Sequence, residues 1–152
     1  MAMLETSDLH AWYGASHTLH GISMSIRQGE VVALVGRNGA GKTTTIRSIM
    51  GLMPRITGGI RFDGTDLVPL RAHERFRLGL AYVPEERRII PGLTVRENLQ
   101  LGLVAGRGDI DEREAIEEIA ESFPRLKERL DQEGVTMSGG EQQMLAIARA
   151  MI

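Results

Sequence analysis

The feature that most constrains this chain is a glycine-rich segment, GRNGAGKT, at Gly36–Thr43. It follows the apolar run VVALV at Val31–Val35 and precedes a stretch of helix-compatible residues. Continuous runs of β-branched and aliphatic residues are typical of strands covered on both faces in a parallel sheet. The pattern therefore predicts a strand, a tight turn and a helix from about Thr43 to Met50, within an α/β fold.

The same segment predicts a phosphate-binding loop, because its spacing fits G-x-x-x-x-G-K-[ST]. Glycines at positions 36, 39 and 41 let the backbone turn tightly and point its N–H groups inward. The start of the following helix adds the positive end of its dipole. Lys42 is expected to reach the β- and γ-phosphates of a nucleotide, and the Thr43 hydroxyl to coordinate Mg²⁺.

Composition narrows the possible partners of this 152-residue chain. Its formal net charge of −2 gives no general attraction to DNA or RNA, so nucleic acid is not an expected partner. The lack of cysteine excludes disulfides and thiolate metal sites. The longest apolar run is far shorter than the ~20 residues of a membrane helix. Any link to a membrane is therefore expected to come through another protein.

The sequence before and after the glycine-rich segment predicts an antiparallel front portion and a second buried strand. Residues alternate in polarity from Leu4 to Tyr13 and from Ile22 to Ile26, as in half-buried strands. A further strand is expected to end at a turn around Asp63 and Gly64, and a helix at Leu70–Leu78 to end at Gly79. The segment LAYVP, residues 80–84, is predicted to be a buried strand.

A block of helices is predicted between Thr94 and Leu130. Thr94 and Glu97 have capping-box spacing, so a helix is expected to start there. Gly102–Gly108 predicts a turn, and the following acidic segment has Ile116, Ile119, Ala120 and Phe123 on one face. We expect residues 1–152 to form one domain, with this block, approximately residues 94–130, as an inserted helical subdomain.

Ser138 and Glu141 have the same capping-box spacing at the start of a final helix. The two glycines between them are costly in a helix, but they are useful where a ligand approaches the backbone closely. Exposed N–H groups at such a position suit a phosphate. The residues expected to face the core are Met144, Leu145, Ile147, Ala148 and Met151.

Two longer stretches resemble motifs of ATP-binding cassette (ABC) proteins. GRNGAGKTT resembles the Walker A motif, and MSGGEQQMLAIARA resembles the signature motif. The stretches YGASHTLHGIS and LAYVPEERRIIPGLTVRENL are also similar to ATPase subunits of branched-chain amino acid importers of the LivF type. In this family the signature of one subunit closes over the γ-phosphate held by the Walker A loop of a second subunit.

The resemblance implies a role for individual residues. Tyr13 is the aromatic residue that stacks on adenine, and the neighbouring Trp12 is a packing residue. Glu85 occupies the Q-loop position, where most cassettes have a glutamine that contacts Mg²⁺ and the attacking water. A carboxylate remains a suitable oxygen ligand for Mg²⁺ but cannot donate a hydrogen bond. Arg87 and Arg88 either face a membrane subunit or are solvated.

The implied site residues fall into three sets. The ATP-binding set is Tyr13, Gly36, Arg37, Asn38, Gly39, Ala40, Gly41, Lys42, Thr43 and Thr44. The signature set, which faces the ATP of a second subunit, is Ser138, Gly139, Gly140, Glu141 and Gln142. Lys42 and Glu85 are the expected catalytic residues, and Thr43 and Glu85 the expected Mg²⁺ ligands.

The resemblance implies ATP binding and hydrolysis that power the import of amino acids, most specifically branched-chain ones. The implied partners are a second ABC ATPase subunit, identical or different, two membrane permeases and, indirectly, a periplasmic binding protein. The implied location is the cytoplasmic face of the cell membrane. Two alternatives stay open: a soluble ABC ATPase of DNA repair or translation, and a non-catalytic nucleotide-binding module. DNA-repair members of the SMC type separate the two motifs by a long coiled coil, whereas Lys42 and Ser138 are 96 residues apart here with no heptad run. Translation-associated members carry two cassettes in one chain, and this sequence shows no second one.

Two further expectations concern what the sequence lacks. Family members carry a Walker B strand ending in Asp-Glu and a switch histidine after the signature, and no apolar run followed by Asp-Glu occurs here. The chain is therefore expected to be the N-terminal part of a longer ATPase. By itself, this part is expected to be unstable or to aggregate, and to hydrolyse no ATP. The histidines are scattered at positions 10, 17, 20 and 73 without metal-ligand spacing, so a zinc site is not expected.

Overall fold

The computed structural model describes residues 2–104 and 111–152. The chain divides into two compact units, one ending at Leu78 and the other spanning Gly79–Ile152.

The first unit is built on an antiparallel sheet. In the part of the chain that the structure describes, this sheet has four strands in the order β2-β1-β3-β4. The strands are β1 (Ala2–Tyr13), β2 (Ser16–Arg27), β3 (Arg55–Phe62) and β4 (Thr65–Asp66). Asp63 and Gly64 join β3 to β4 with φ angles of 45° and 77°, the positive pair that a tight hairpin turn requires. The predicted antiparallel front portion and its turn are confirmed.

Strand β1 contains a β-bulge that preserves its buried face. Leu4 and Thr6 are buried before the bulge, and Leu9 and Ala11 are buried after it. The pairing with β2 shifts between Thr6 and Leu9, and Asp8 has a φ of 46°. The extra residue is absorbed by the bulge. Buried residues are two apart on each side of Asp8 but three apart across it, so without the bulge Leu9 and Ala11 would face solvent.

Helices α1 (Lys42–Ile49) and α2 (Ala72–Arg77) complete the first unit. Both were predicted from sequence, and both end before a glycine with positive φ, at Gly51 and Gly79. Arg75 of α2 is only 2% exposed. Its Nη1 donates to the carbonyl oxygens of Ser48 and Ile49, each at 2.8 Å. A buried side chain of α2 therefore satisfies backbone acceptors at the end of α1.

The second unit is helical. Its elements are α3 (Val95–Val104), α4 (Glu112–Ser122), α5 (Pro124–Lys127), a 3₁₀ turn (Gly134–Thr136) and α6 (Gly139–Met151). The predicted start of α3 is confirmed, because the Glu97 carboxylate accepts from the Thr94 N–H at 2.7 Å. Its core consists of Val95, Leu99, Ile116, Ile119, Leu126, Met137, Leu145 and Ala148.

The predicted turn at Gly102–Gly108 is wrong in its first part, because α3 continues through Gly102 to Val104. Gly102 packs against the backbone of Arg149, so the small residue serves a close approach of two helices. Residues 105–108 lie outside the described residues.

The two predicted buried strands, at Val31–Val35 and residues 80–84, are absent from the structure. Neither segment forms a strand, and Val31 and Val35 are 98% and 92% exposed. A strand requires neighbours that pair its N–H and C=O groups. Within residues 2–104 and 111–152 no strand pairs with either segment. Hydrophobicity alone therefore did not predict whether either segment would pair as a strand.

The predicted core face of α6 is also partly wrong. Leu145 and Ala148 are fully buried, but Met144 and Met151 are 40% and 62% exposed. Successive residues turn by about 100° around a helix, so Met144 lies about 100° and Met151 about 120° away from Leu145, both on the same side of it. Ala146, which was not predicted, is buried in their place.

Candidate functional site

The glycine-rich loop ends in a helix start that is suited to an anion. Gly41 is the N-cap of α1, no side chain caps this end, and its first turn contains no acidic residue. The first N–H groups of an α-helix have no partners within the helix. These groups and the helix dipole therefore make the region from Gly41 to Thr44 suitable for an anion.

Gly41 is required here for two separate reasons. Its φ of 91° lies in the left-handed region, which residues with a β-carbon rarely adopt. A β-carbon at this position would also lie 2.6 Å from Cδ2 of Leu19, a buried residue of β2. The glycine therefore lets α1 begin directly against the sheet.

Lys42 is held against the loop that precedes it. Its Nζ donates to the carbonyl oxygens of Gly36 at 2.7 Å and of Arg37 at 2.8 Å. An ammonium group has three donors, so these two bonds leave one donor for another acceptor. The positive charge of Lys42 thus lies beside the backbone of the glycine-rich loop.

The hydroxyl groups of α1 divide into two kinds. Thr45 donates to the carbonyl of Gly41 at 2.9 Å, and Ser48 donates to the carbonyl of Thr44 at 2.8 Å. Thr43, by contrast, is exposed. Of these hydroxyl groups, the one at Thr43 is accessible to a cation bound near the phosphate loop, and a hydroxyl oxygen suits Mg²⁺.

Tyr13 and Trp12 have different surroundings at the end of β1. Tyr13 is 42% exposed, and the guanidinium carbon of Arg47 in α1 lies 5.9 Å from the centre of its ring. The Trp12 ring stacks on His17 with centroids 4.4 Å apart, and Arg55 lies over it at 4.5 Å. Because β2 and β3 flank β1, the neighbours of Trp12 come from the strands on either side. Trp12 is enclosed, whereas Tyr13 keeps an accessible ring.

The histidines at 10, 17 and 20 are not scattered, as their sequence positions suggested, but form a cluster beside Trp12. His10 Nδ1 and His17 Nε2 are 3.0 Å apart, and the rings of His17 and His20 have centroids 4.0 Å apart. Packing of the rings removes water and, with the charges of His20 and His10, lowers the pKa of His17. In the described residues, no group of three histidines or carboxylates has a geometry that could hold a metal ion.

The second candidate surface is the start of α6. Ser138 is its N-cap: the Ser138 hydroxyl accepts from the Glu141 N–H at 3.4 Å, and the Glu141 carboxylate accepts from the Ser138 N–H at 3.0 Å. The Ser138 hydroxyl also donates to that carboxylate at 2.8 Å. These bonds from the Ser138 hydroxyl and N–H lower the pKa of Glu141. The predicted capping box is confirmed.

The other signature residues lie at the same helix end. Gly139 and Gly140 form the first helical positions, where N–H groups have no partner within the helix. Gln142 points back, because its Nε2 donates to the carbonyl oxygens of Val135 and Met137, each at 3.0 Å. Gln142 therefore braces the segment that leads into α6.

Glu85 and the two following arginines form a turn in the second unit. Glu85 is exposed. Arg87 and Arg88 have φ angles of 57° and 51°. The two predicted Mg²⁺ ligands thus belong to different units, Thr43 to the first and Glu85 to the second. No helix in residues 2–104 and 111–152 is both long and apolar enough to cross a membrane.

Comparison with known proteins identifies the family. The sequence profile of ABC transporters matches residues 19–152, most of the chain. The chain belongs to the ABC transporter family. Similar ABC proteins include the high-affinity branched-chain amino acid transport ATP-binding protein BraG of Pseudomonas aeruginosa, 43% identical over 150 residues. A probable branched-chain amino acid transport protein, LivF of Archaeoglobus fulgidus, is 36% identical over 151 residues.

Another similar ABC protein is named for export and not for amino acid transport. The lipopolysaccharide export ATP-binding protein LptB of Escherichia coli is 36% identical over 154 aligned residues. The alignments cover 99% of this chain but only 64% of BraG and 63% of the other two relatives. The chain therefore spans less than two thirds of the length of these curated relatives.

Solved structures confirm the predicted ABC nucleotide-binding fold. An ATP-binding subunit of an ABC transporter superimposes with a TM-score of 0.83 and 34% identity, over 97% of this chain and 61% of the other. An ABC cassette in its ADP conformation gives a TM-score of 0.80 and 27% identity, over 99% and 65%. The fold is a mixed α/β ABC cassette with an antiparallel sheet.

Proposed function

We propose that this chain is the ATP-binding portion of the nucleotide-binding subunit of an ABC importer for branched-chain or related amino acids. The observation that carries the proposal is the loop at Gly36–Thr43, with Lys42 bonded to its carbonyl groups and an uncapped helix at its end. The 43% identity to BraG supports the amino acid substrate.

Within this proposal the loop binds the phosphates of ATP. The N–H groups from Gly36 to Thr44 surround the β- and γ-phosphates, and Lys42 exchanges its two carbonyl bonds for phosphate oxygens. Bound Mg²⁺ supplies positive charge against the phosphates, and the exposed Thr43 hydroxyl is its ligand from this loop. Glu85 is proposed to contribute a carboxylate ligand from the Q-loop position.

Tyr13 is proposed to stack on the adenine. Its accessible ring and the neighbouring Arg47 are contacts of the first unit, which also contains the phosphate loop. Trp12 is proposed to be a packing residue, because His17 and Arg55 already lie over its ring. The two adjacent aromatic residues therefore have separate roles.

The start of α6 is proposed to face the ATP of a second ATPase subunit. Gly139 and Gly140 offer free N–H groups to a phosphate, and Ser138 begins the helix. Glu141 and Gln142 act as bracing residues of this surface, since their side chains bond to Ser138 and to the carbonyl groups of Val135 and Met137. The second subunit is either a copy of this protein or a related ATPase.

The proposed assembly contains two ATPase subunits and two membrane permeases at the cytoplasmic face of the membrane, with a periplasmic binding protein that delivers the amino acid. Tight closure on ATP and reopening after hydrolysis provide the two states that such coupling requires.

We further propose that hydrolysis needs residues outside these 152, because no apolar run followed by Asp-Glu occurs among them. Export is the second candidate, since LptB shares 36% identity, but BraG is more similar.

Binding of ATP by the purified chain tests the proposal. Isothermal titration with ATP and Mg²⁺ is expected to show binding that Lys42→Ala weakens at least about tenfold, the loss of a charge-assisted contact. Lys127→Ala, which removes an exposed lysine of the second unit, is the matched control. Equal affinity for the Lys42→Ala and Lys127→Ala variants would contradict the phosphate-binding role of the loop.

A further inference from the structure

Two consecutive residues of the second unit, Arg87 and Arg88, hold an unfavourable backbone conformation. Their φ angles are 57° and 51°, in the left-handed region. Residues with a β-carbon rarely adopt this region, and two in succession persist only where the surroundings hold them there. The backbone of this turn must therefore be fixed from outside.

Side chains of α3 and α6 hold the turn at two points. Nη2 of Arg149 in α6 donates to the carbonyl oxygen of Arg87 at 3.1 Å. Oδ1 of Asn98 in α3 accepts from the Ile90 N–H at 3.0 Å and from Nη1 of Arg149 at 3.4 Å. Asn98 is fully buried, so this bonding is shielded from water.

The consequence of this backbone is the placement of the Arg87 side chain. Its guanidinium lies against Gly139, where a β-carbon would be 3.2 Å from Nη1 of Arg87. Among the described residues, no carboxylate lies within ion-pair distance of this guanidinium. An arginine charge that no carboxylate in residues 2–104 and 111–152 pairs with therefore lies beside the first turn of α6.

We propose that Arg149 is a positioning residue that holds Arg87 through its backbone carbonyl, so that the Arg87 guanidinium adds its charge to the phosphate-binding start of α6. The inference rests on the proposed function in one respect: the phosphate is that of ATP held by a second subunit. Burial lowers the pKa of Arg149, and its guanidinium donates to the Arg87 carbonyl oxygen. Arg149 itself touches the carbonyl and Asn98, and acts on phosphate only through Arg87.

The test uses the full chain with Lys42→Ala, which removes the main cation of the phosphate loop, and inorganic triphosphate as the probe. Amide resonances of Gly139 and Gly140 are followed by NMR during the titration. Arg87→Ala and Arg149→Gln are each expected to weaken the affinity at these amides about five- to tenfold, and the double variant no further. Arg88→Ala removes the same charge one residue away and is expected to change it less than twofold.

Two additional measurements separate positioning from a general loss of structure. Arg87→Ala is expected to leave the melting temperature unchanged, because its side chain lies at the surface of α6. In the Arg149→Gln variant, the Nε–Hε resonance of Arg87 is expected to shift towards that of a freely moving arginine, and Arg149→Lys to restore it in part. These signals report the position of the side chain without requiring any nucleotide.

The outcomes are distinct. Equal triphosphate affinity in the Arg87→Ala, Arg88→Ala and Arg149→Gln variants would overturn the inference, as would a lack of triphosphate-induced shifts at Gly139 and Gly140. An unchanged Arg87 resonance in Arg149→Gln would also overturn it. Failure of the proposed function would appear separately, as ATP binding that does not depend on Lys42.

Discussion

The guanidinium carbon of Arg47 lies 5.9 Å from the centre of the Tyr13 ring, and the ring remains 42% exposed. This contact joins Tyr13, the last residue of β1, to α1, the helix that follows the glycine-rich loop. A cation over one aromatic face fixes the ring at little cost in accessible surface. Tyr13 is thereby oriented while part of its ring stays available to a base.

Replacing Tyr13 is expected to weaken nucleotide binding. Stacking of one base on an aromatic ring contributes about 1–3 kcal/mol, so Tyr13→Ala should reduce the affinity for ATP about tenfold, and Tyr13→Phe should leave it within twofold. Calorimetric titration with ATP measures both. Trp12→Ala is the matched control and should change the affinity less than twofold. A larger loss in Trp12→Ala than in Tyr13→Ala would reverse the roles proposed for the two rings.

Replacing Gly41 is expected to destabilise the first unit more than replacing Gly39. Both glycines have positive φ, 91° and 83°, so alanine strains the backbone at either position. Only the β-carbon at position 41 would meet Leu19, whereas nothing lies within 4 Å of one at position 39. Gly41→Ala should therefore lower the free energy of unfolding by about 1–3 kcal/mol more than Gly39→Ala. Urea titrations followed by circular dichroism check this, and equal midpoints would refute it.

Replacing Arg75 is expected to uncouple α2 from α1. Arg75→Met removes the side-chain donor from the carbonyl groups of Ser48 and Ile49, of which, among the described residues, only Ser48 keeps a second donor, the Gly51 N–H at 3.1 Å. The free energy of unfolding should fall by about 2–4 kcal/mol. Arg75→Lys should recover only part, because an ammonium group cannot reproduce the planar fork of donors. Arg61→Met removes an exposed arginine of the same unit and serves as control. Chemical denaturation of all three variants measures these free energies, and an equal loss in Arg75→Met and Arg61→Met would contradict the prediction.

The histidine cluster is expected to make stability depend on pH. The pKa of His17 is lowered from its ordinary value of 6.5 in the folded chain, so the unfolded chain takes up the proton first as the pH falls. The free energy of unfolding should be insensitive to this group above about pH 7.5 and should decrease below about pH 6.5. His17→Phe keeps a stacking ring but cannot be protonated. The difference in urea midpoint between pH 5.5 and 8 should shrink in this variant; an unchanged difference would exclude His17 as the source.

Local signals in the sequence were reliable where the stabilising contacts are also local. The capping boxes at Thr94 and Ser138 bond residues three apart, and the turn at Asp63 depends on two adjacent dihedral angles. The helix predicted after the glycine-rich loop is a third case, because the loop and Lys42 bond within a few residues of one another. Such features need no knowledge of distant chain segments.

Features that depend on distant partners were missed. The apolar run at Val31–Val35 predicts a strand, but pairing depends on another strand, and none in the described residues supplies it. The histidine cluster depends on cross-strand register, which pairs His10 with His20 and Trp12 with His17. Arg75 and Arg149 donate to carbonyl groups far away in sequence, and no local pattern marks an arginine with that role.

The bulge at Asp8 sets the side of strand β1 on which each of two adjacent aromatic rings lies. Trp12 and Tyr13 are adjacent, so a one-residue slip of β1 against its neighbours would exchange the sides on which their rings lie. The φ of 46° at Asp8 prevents that slip by taking up one residue out of line. A β-branched residue at position 8 would resist this angle. The backbone at Asp8 thus sets which of the Trp12 and Tyr13 rings would face an adenine in the proposed site.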